Sequence, residues 1–471
     1  MTITPYRLDR VQNQKAIAQF LSTCKRANVR QSPQIVSISL EIESVDPLAV
    51  LQAIVKPDQR HFYFEKSGQQ EAILGIDTVI ELQTEGKNRF AEAKEFIRNA
   101  LANMIQFGDS EPPFSGAHFF CNFSFFDEQI KENPSFPSAS VFLPRWQVSR
   151  QADRCTIVAN IILDQTLDLD RTSHQIWQGF QAIRAIKYNV IDLAIDSPNF
   201  LRKQDFSHTN HFKKSVLSAL ESIQNHHFNK IVLAHALDVT SPIPFNLVSS
   251  LKNLRHLYSN CYIFSTNNRQ GQTFIGASPE RLVKIHNQHL ETDALAGSAP
   301  RGKTAIEDAQ LGDRLLSSQK ETHEHRVVID FITRHLAELG LETQRSVARL
   351  LQLPNIQHLH TPIHATVPPD VHLLDVVAKL HPTPAVAGAP RELACEQIRY
   401  YEQFERSLYA APIGWVDHQG NGEFAVGIRS AVLNGCHARL FAGAGIVAGS
   451  NPDRELTEVQ LKLQALLAAL V

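Results

Sequence analysis

An α+β architecture is the expectation for this chain, and three features lead to it. Strand-type and helix-type apolar patterns alternate irregularly, with no repeat of solenoid period and no low-complexity tract. Three β-type segments run in succession near the C-terminal end, and a helix pattern follows them. With 471 residues, 43% of them hydrophobic, the chain can bury a large core, and its length suggests roughly two to four domain-sized units.

The elements follow in order. Turn signals are richest at 108–116, 132–138, 197–210 and 361–370. The third places a soft boundary near residue 205, dividing the chain into 1–205 and 206–467. In the first part, strand patterns fall at 34–42, 115–126 and 155–163, and helical ones at 47–55, 88–106 and 173–194. The second part opens with a helix pattern (211–225) and a strand from Lys230 to Val239. Strands at 261–265 and 273–276 and a hairpin-like stretch at 281–290 come next. One long helix is expected from about Ile306 to Gly340, with the glycine as its C-cap. The final β-type segments are 407–417, 423–434 and 437–447, and the last helix follows Pro452.

Composition excludes several classes. Lys and Arg number 46 against 48 Asp and Glu, a formal net charge of −2, so there is no basic surface for sequence-independent nucleic-acid binding. No basic block suits an anionic membrane, and no apolar run reaches the roughly 18–20 residues of a membrane helix. The first fifteen residues lack the apolar core of a secretory signal, and six dispersed cysteines without a CxxC read as reduced thiols. A cytoplasmic protein is the expectation.

Two helices carry carboxylates where an apolar stripe should run. Glu321 and Glu324 project in the direction that Val328, Phe331, Ile332, Leu336 and Leu339 take further along. On the last helix, Glu455, Glu458 and Lys462 line one edge of the stripe of Leu456, Val459, Leu463, Leu466, Leu467 and Leu470. Glu458 and Lys462 can also pair at i,i+4. Two Glu-x-x-Glu pairs could supply four hard oxygen ligands, which favour Mg²⁺ over zinc, or they could be ordinary solvated pairs. His323 and His325 lie on other faces of the first helix and read as structural.

Other residues stand out singly. Lys230 opens an apolar strand, sharing a side with Val232 and Ala234; it is either a solvated strand-edge residue or a desolvated base. Pro279 ends a strand, so Glu280 is either a turn glutamate or an acid held at a strand end. Gly297 and Ser298 offer backbone N–H groups at a permissive position. Arg429, read as mid-strand in AVGIRSA, needs an anion. The glycines of FAGAGI, Gly443 and Gly445, read as a turn after a strand that lets backbone approach a small ligand; the third glycine of a dinucleotide fingerprint is missing.

Together these segments resemble the chorismate-utilising enzymes, the family of anthranilate, aminodeoxychorismate, salicylate and isochorismate synthases. The matching pieces are KIVLAHALDV (230–239), IGASPERL (275–282), ETDALAGSAPRG (291–302), SQKETHEH (318–325), LHPTPAVAG (380–388), ERSLYAAPIGW (405–415), FAVGIRSA (424–431) and FAGAGIVAGSNPDRELTEVQLK (441–462), in the family's order. SLEIESVDPLAVL (39–51) and PSASVFLPRWQV (137–148) are similar to the isochorismate branch, whereas GAHFFCNFSFFDE (116–128) departs from its glycine-rich pattern. The resemblance implies an anthranilate-synthase-component-I-like fold: two subdomains forming a β-sandwich flanked by helices, with the active site in the cleft.

It also implies roles. Glu324 and Glu458 would hold a Mg²⁺ ion on the ring carboxylate of chorismate, with Glu321 and Glu455 as outer or water-mediated partners. Arg429 and Tyr409, with the Gly443 and Gly445 backbone, would take the enolpyruvyl carboxylate, and Lys462 would lie beside the ring carboxylate. Gly297 and Ser298 would line the ring, and His358 and His381 would border the cleft. Lys230, a glutamine in ammonia-using members, would be the base that activates water, and Glu280 the acid for the leaving hydroxyl. Ala296 stands where aminodeoxychorismate synthases carry a nucleophilic lysine, and no glutaminase region is attached, so no glutaminase partner is expected. An isochorismate-type activity in menaquinone or phylloquinone biosynthesis is thus the expectation. Salicylate synthase, siderophore biosynthesis and an inactive chorismate-binding protein are the alternatives.

Overall fold

A computed structural model describes residues 13–28, 32–56, 58–128, 135–186, 201–205, 209–353 and 356–470. Their strands form two sheets, one of 13 strands and one of 10, and every pairing but one is antiparallel. The first is centred on Lys230–Thr240, His437–Val447, Ser430–Asn434, Gln272–Ser278 and Tyr262–Asn267. The second contains Ile356–Thr366, His289–Pro300, Arg281–His286, Gly422–Val426, Pro412–Asp417 and His118–Phe123 in that order.

Phenylalanine-rich strands explain how the sheets join. Phe62, Phe64, Tyr262, Phe264 and Phe274 of the first sheet meet Phe120, Phe142, Ile413 and Trp415 of the second in one buried cluster. The rings of Phe62 and Phe120 stack at 4.6 Å. Gly75 belongs to this contact, since a Cβ there would lie 2.2 Å from the Phe120 ring. Helices cover the outer faces: Gln319–Ala337 packs on the strand His289–Pro300, and Pro452–Leu470 on His437–Val447. Strands from both sides of residue 205 enter both sheets, so the two sequence regions share one sandwich. No helix of the described residues is long and apolar enough to cross a membrane, and all six cysteines are free thiols.

Several expected elements differ. The single helix over 306–340 is two, Ala305–Ser317 and Gln319–Ala337, parted at Ser318. Ser318 has extended backbone and its hydroxyl caps the second helix by accepting from Glu321 N. Ser318-x-x-Glu321 is a capping pattern, and it marked this start in the sequence. The stretch 88–106 is a helix, Arg89–Ala102, followed by a strand, Met104–Gly108. The strand expected at 115–126 is confined to His118–Phe123 and that at 407–417 to Pro412–Asp417. The turn-rich 361–370 is strand as far as Thr366. Gly443 and Gly445 lie inside the strand His437–Val447, not in a turn after one. Strand 423–434 is broken into Gly422–Val426 and Ser430–Asn434, so Arg429 is in a crossing, not mid-strand. The helix expected at 173–194 is Leu169–Arg184, and the remainder of that stretch from 187 lies outside the described residues, as do parts of 132–138 and 197–210.

Candidate active site

Two chain segments pass from one sheet to the other side by side. Pro279 and Glu280 link the strand Gln272–Ser278 of the first sheet to Arg281–His286 of the second. Gly427, Ile428 and Arg429 return from Gly422–Val426 to Ser430–Asn434. Val426 N donates to Glu280 O (3.0 Å) and Ala277 N to Arg429 O (3.1 Å), so the crossings are laced together. Arg429 adopts φ of +49°, a left-handed conformation that costs a non-glycine residue on the order of 1 kcal/mol. Both side chains are thereby presented to a cavity of about 390 Å³, a volume suited to a small molecule.

Glu280 is only 4% exposed, and its backbone N–H is fixed by the Ser278 hydroxyl at 3.2 Å. Burial, opposed by the charge of Lys230 and reinforced by that of Asp293, pushes its pKa up to about 8. It is therefore mostly protonated at neutral pH and can donate a proton. Lys230 is 2% exposed, which excludes the solvated reading of this residue. Its Nζ donates to Glu324 Oε1 at 2.7 Å. The register explains the position: Val232 lies opposite Gly445, and Lys230 shares its face. A Cβ on Gly445 would come within 2.9 Å of Glu324 Oε1 and 3.3 Å of Lys230 Cε, so glycine makes room for this pair.

The two Glu-x-x-Glu helices bring their carboxylates to the same cavity: Glu321, Glu324, Glu455 and Glu458 all line it. Burial and the Glu324 and Glu458 charges raise the pKa of Glu321; burial and the Glu458 and Glu324 charges raise that of Glu455. Glu321 Oε2 accepts from Ser298 N at 3.1 Å, and Gly297, with φ of +76°, forms the bulge that turns this N–H toward it. Lys462 donates to Glu458 Oε1 (2.7 Å) and to Gly443 O (2.9 Å). An all-carboxylate cluster in which the charges of Glu324 and Glu458 raise the pKa of Glu321 and Glu455 fits a divalent, oxygen-preferring cation such as Mg²⁺.

Arg429 and His358 form another part of the cavity wall. Arg429 Nη2 donates to His358 Nε2 at 3.2 Å, and the other ring nitrogen of His358 meets Ser298 Oγ at 2.9 Å. Burial and the nearby Arg429 and Lys462 charges hold His358 well below its usual pKa, so the ring is neutral and accepts from the guanidinium. Arg429 Nη1 is buried without a hydrogen-bond partner, an unmet demand that a carboxylate would satisfy. The Tyr409 hydroxyl lies 2.9 Å from where a Gly443 Cβ would stand.

His381 is not part of this site. Its Nε2 lies 3.0 Å from Phe125 O, and its ring packs edge-on against Phe125 and Phe90. His325 is buried on Thr361 (2.8 Å), and His323 is exposed. Sequence reasoning missed two contributors. Lys320 bridges the helices, with Nζ 3.7 Å from Glu321 and 3.9 Å from Glu455. Arg406, about 1% exposed, is paired with Glu402 and donates to the carbonyls of Val386 and Val232, two residues of the cavity wall, at 2.8 Å each. The i,i+4 spacing of Glu402 and Arg406 was the available signal.

The sheets, the crossings and the carboxylate cavity define a class, and comparison with known proteins bears it out. The family model described as "Chorismate binding enzyme" matches residues 19–471, and the chain belongs to that family. The chain is 31% identical to the isochorismate synthase MenF of Bacillus subtilis, over 93% of each chain. It is 32% identical to the salicylate biosynthesis isochorismate synthase of Pseudomonas aeruginosa, over 94% of this chain and 92% of that one. In fold it is similar to the menaquinone-specific isochorismate synthase from Escherichia coli, with a TM-score of 0.76 at 24% identity, covering 97% of this chain and 99% of that one.

Proposed function

We propose that the chain is an isochorismate synthase that adds water at C2 of chorismate as the C4 hydroxyl departs. The observation that carries this reading is a buried acid, Glu280, on the wall of one small cavity, with a buried lysine, Lys230, close enough for its charge to act on that acid and bonded to Glu324 of the same wall. In the proposed reaction Lys230 accepts a proton from the attacking water and Glu280 gives one to the leaving hydroxyl. The ring double bonds shift between the two positions, one water enters and one leaves, and proton exchange with solvent resets both side chains. Arg429 and Tyr409 orient the enolpyruvyl carboxylate, and Ser298 and His358 hold Arg429 in place.

Glu324 and Glu458 would hold Mg²⁺, with Glu321 and Glu455 outside them. The ion would balance the ring carboxylate's charge and fix its orientation. Electroneutrality supports this pairing. With Glu280 protonated and Lys230 reserved as the proton acceptor, the four carboxylates of Glu321, Glu324, Glu455 and Glu458 face four cations, Lys320, Arg429, Arg454 and Lys462. A dicarboxylate arriving with a divalent cation adds no net charge to that set.

Product analysis tests the proposal. Protein incubated with chorismate and Mg²⁺, without ammonia, is expected to yield isochorismate, with no pyruvate. Salicylate with pyruvate would reassign the chain to salicylate synthesis, and no turnover would leave a binding protein. We place the reaction in menaquinone or phylloquinone biosynthesis. Rescue of a quinone-deficient strain lacking its own isochorismate synthase supports this, and rescue of siderophore synthesis alone would overturn it.

A further inference from the structure

The strands His289–Pro300 and Ile356–Thr366 lie side by side, and Glu291 stands directly opposite His364 in their register. His289 is two residues from Glu291 and so projects from the same face. The three side chains each offer one ligand atom, and those atoms all lie within 4.8 Å of one another. The two imidazole rings run nearly parallel, 17° apart, with centroids 5.6 Å apart. Two further observations give the cluster a purpose. Nδ1 of His364 is buried and has no hydrogen-bond partner, and a buried ring nitrogen is costly in that condition. Glu291 is gripped through Oε2 by Arg281, which also holds Asp293; that clamp fixes the carboxylate and leaves its other oxygen available.

We propose that His289, Glu291 and His364 form a second metal site, for a zinc-type divalent cation. Two imidazoles and one carboxylate suit Zn²⁺ and its borderline neighbours, whereas Mg²⁺ and Ca²⁺ prefer oxygen ligands alone. Three protein ligands leave a fourth position for water, and His289, which is exposed, gives the ion a path from solvent. The site is separate from the carboxylate cavity. Glu291 is six residues from Gly297 along an extended strand, on the order of 20 Å away. Its ligands come from two adjoining strands, so the ion acts as a clip between them, and the three-residue strand Thr343–Arg345 rests on the far side of Ile356–Thr366.

The test uses the full chain without a histidine tag, in millimolar Mg²⁺ to occupy the oxygen-ligand cluster. Zn²⁺ is titrated against a chromophoric chelator, and thermal unfolding is followed with and without the ion. One equivalent is expected to bind, raising the unfolding temperature. His364→Ala and His289→Ala are each expected to weaken uptake by about 10-fold or more and to remove the thermal shift. His289 is exposed, so its replacement leaves the fold intact and separates ligand loss from misfolding. Undetectable uptake by the parent chain, or uptake by both variants equal to that of the parent, would overturn the assignment.

Discussion

Replacing Glu280 by glutamine keeps the shape of the buried side chain and removes its proton. With a pKa of about 8, roughly nine-tenths of the wild-type carboxyls are protonated at pH 7. A glutamate at its ordinary value of 4.5 would be protonated in only about 0.3% of molecules, so burial multiplies the available acid about 300-fold. If this proton goes to the leaving hydroxyl, Glu280→Gln should lose about 10²–10⁴ in turnover. The sign of the pH effect follows. The protonated form is the active one, so wild-type turnover should hold up to about pH 8 and then fall roughly tenfold per unit. Asp293 raises this pKa, so Asp293→Asn should move the alkaline limb to lower pH. The assay is steady-state conversion of chorismate across the range from about pH 6 to 10, with circular dichroism checking the fold. A wild-type rate that stays flat through that range, or a glutamine variant within a few-fold of wild type, would refute the reasoning.

Lys230→Ala should also cost about 10²–10⁴ in turnover under the same assay, and near-normal rates would remove it from the chemistry. Glu324→Ala and Glu458→Ala should each move the Mg²⁺ titration of activity to higher concentration; superimposable curves would count against the carboxylate cluster as the metal site. Gly445→Ala places a methyl 2.9 Å from Glu324 Oε1, so turnover should drop while the unfolding temperature stays near that of the parent, and full activity would refute the tight fit. Arg406→Met leaves Glu402 buried and unpaired, which should destabilise the protein by roughly 3–5 kcal/mol, read as a lowered unfolding midpoint; an unchanged midpoint would contradict that role.

Much of the site was legible because its residues violate local expectation. Carboxylates stand on the apolar edge of a helix, and a lysine among β-branched neighbours and an arginine in AVGIRSA each demand a partner that the sequence does not supply nearby. The demand was readable, and the means of meeting it was not. Lys230 answers Glu324 across 94 residues, and His358 answers Arg429 across 71. Apolar periodicity predicts one long helix because it continues through Ser318, where a single capping hydroxyl outweighs it. Alternation puts Arg429 in a strand because it cannot register one residue with left-handed backbone. The motif points His381 toward the cleft, yet its ring turns away to Phe125.

The paired crossings at Glu280 and Arg429 have a consequence for how this catalyst wears out. The buried carboxyl of Glu280 and the guanidinium of Arg429 belong to neither sheet alone; each is a rivet through both. A site on a surface loop can fray while its scaffold survives, so activity fades before the fold does. Here the sheets cannot slide without pulling both groups out of register, and neither group can drift while the sheets stay clamped by their aromatic interior. Heat inactivation and loss of the sandwich should therefore be one event. Insertions at either crossing, harmless in an ordinary loop, would displace a reactive group and a strand together.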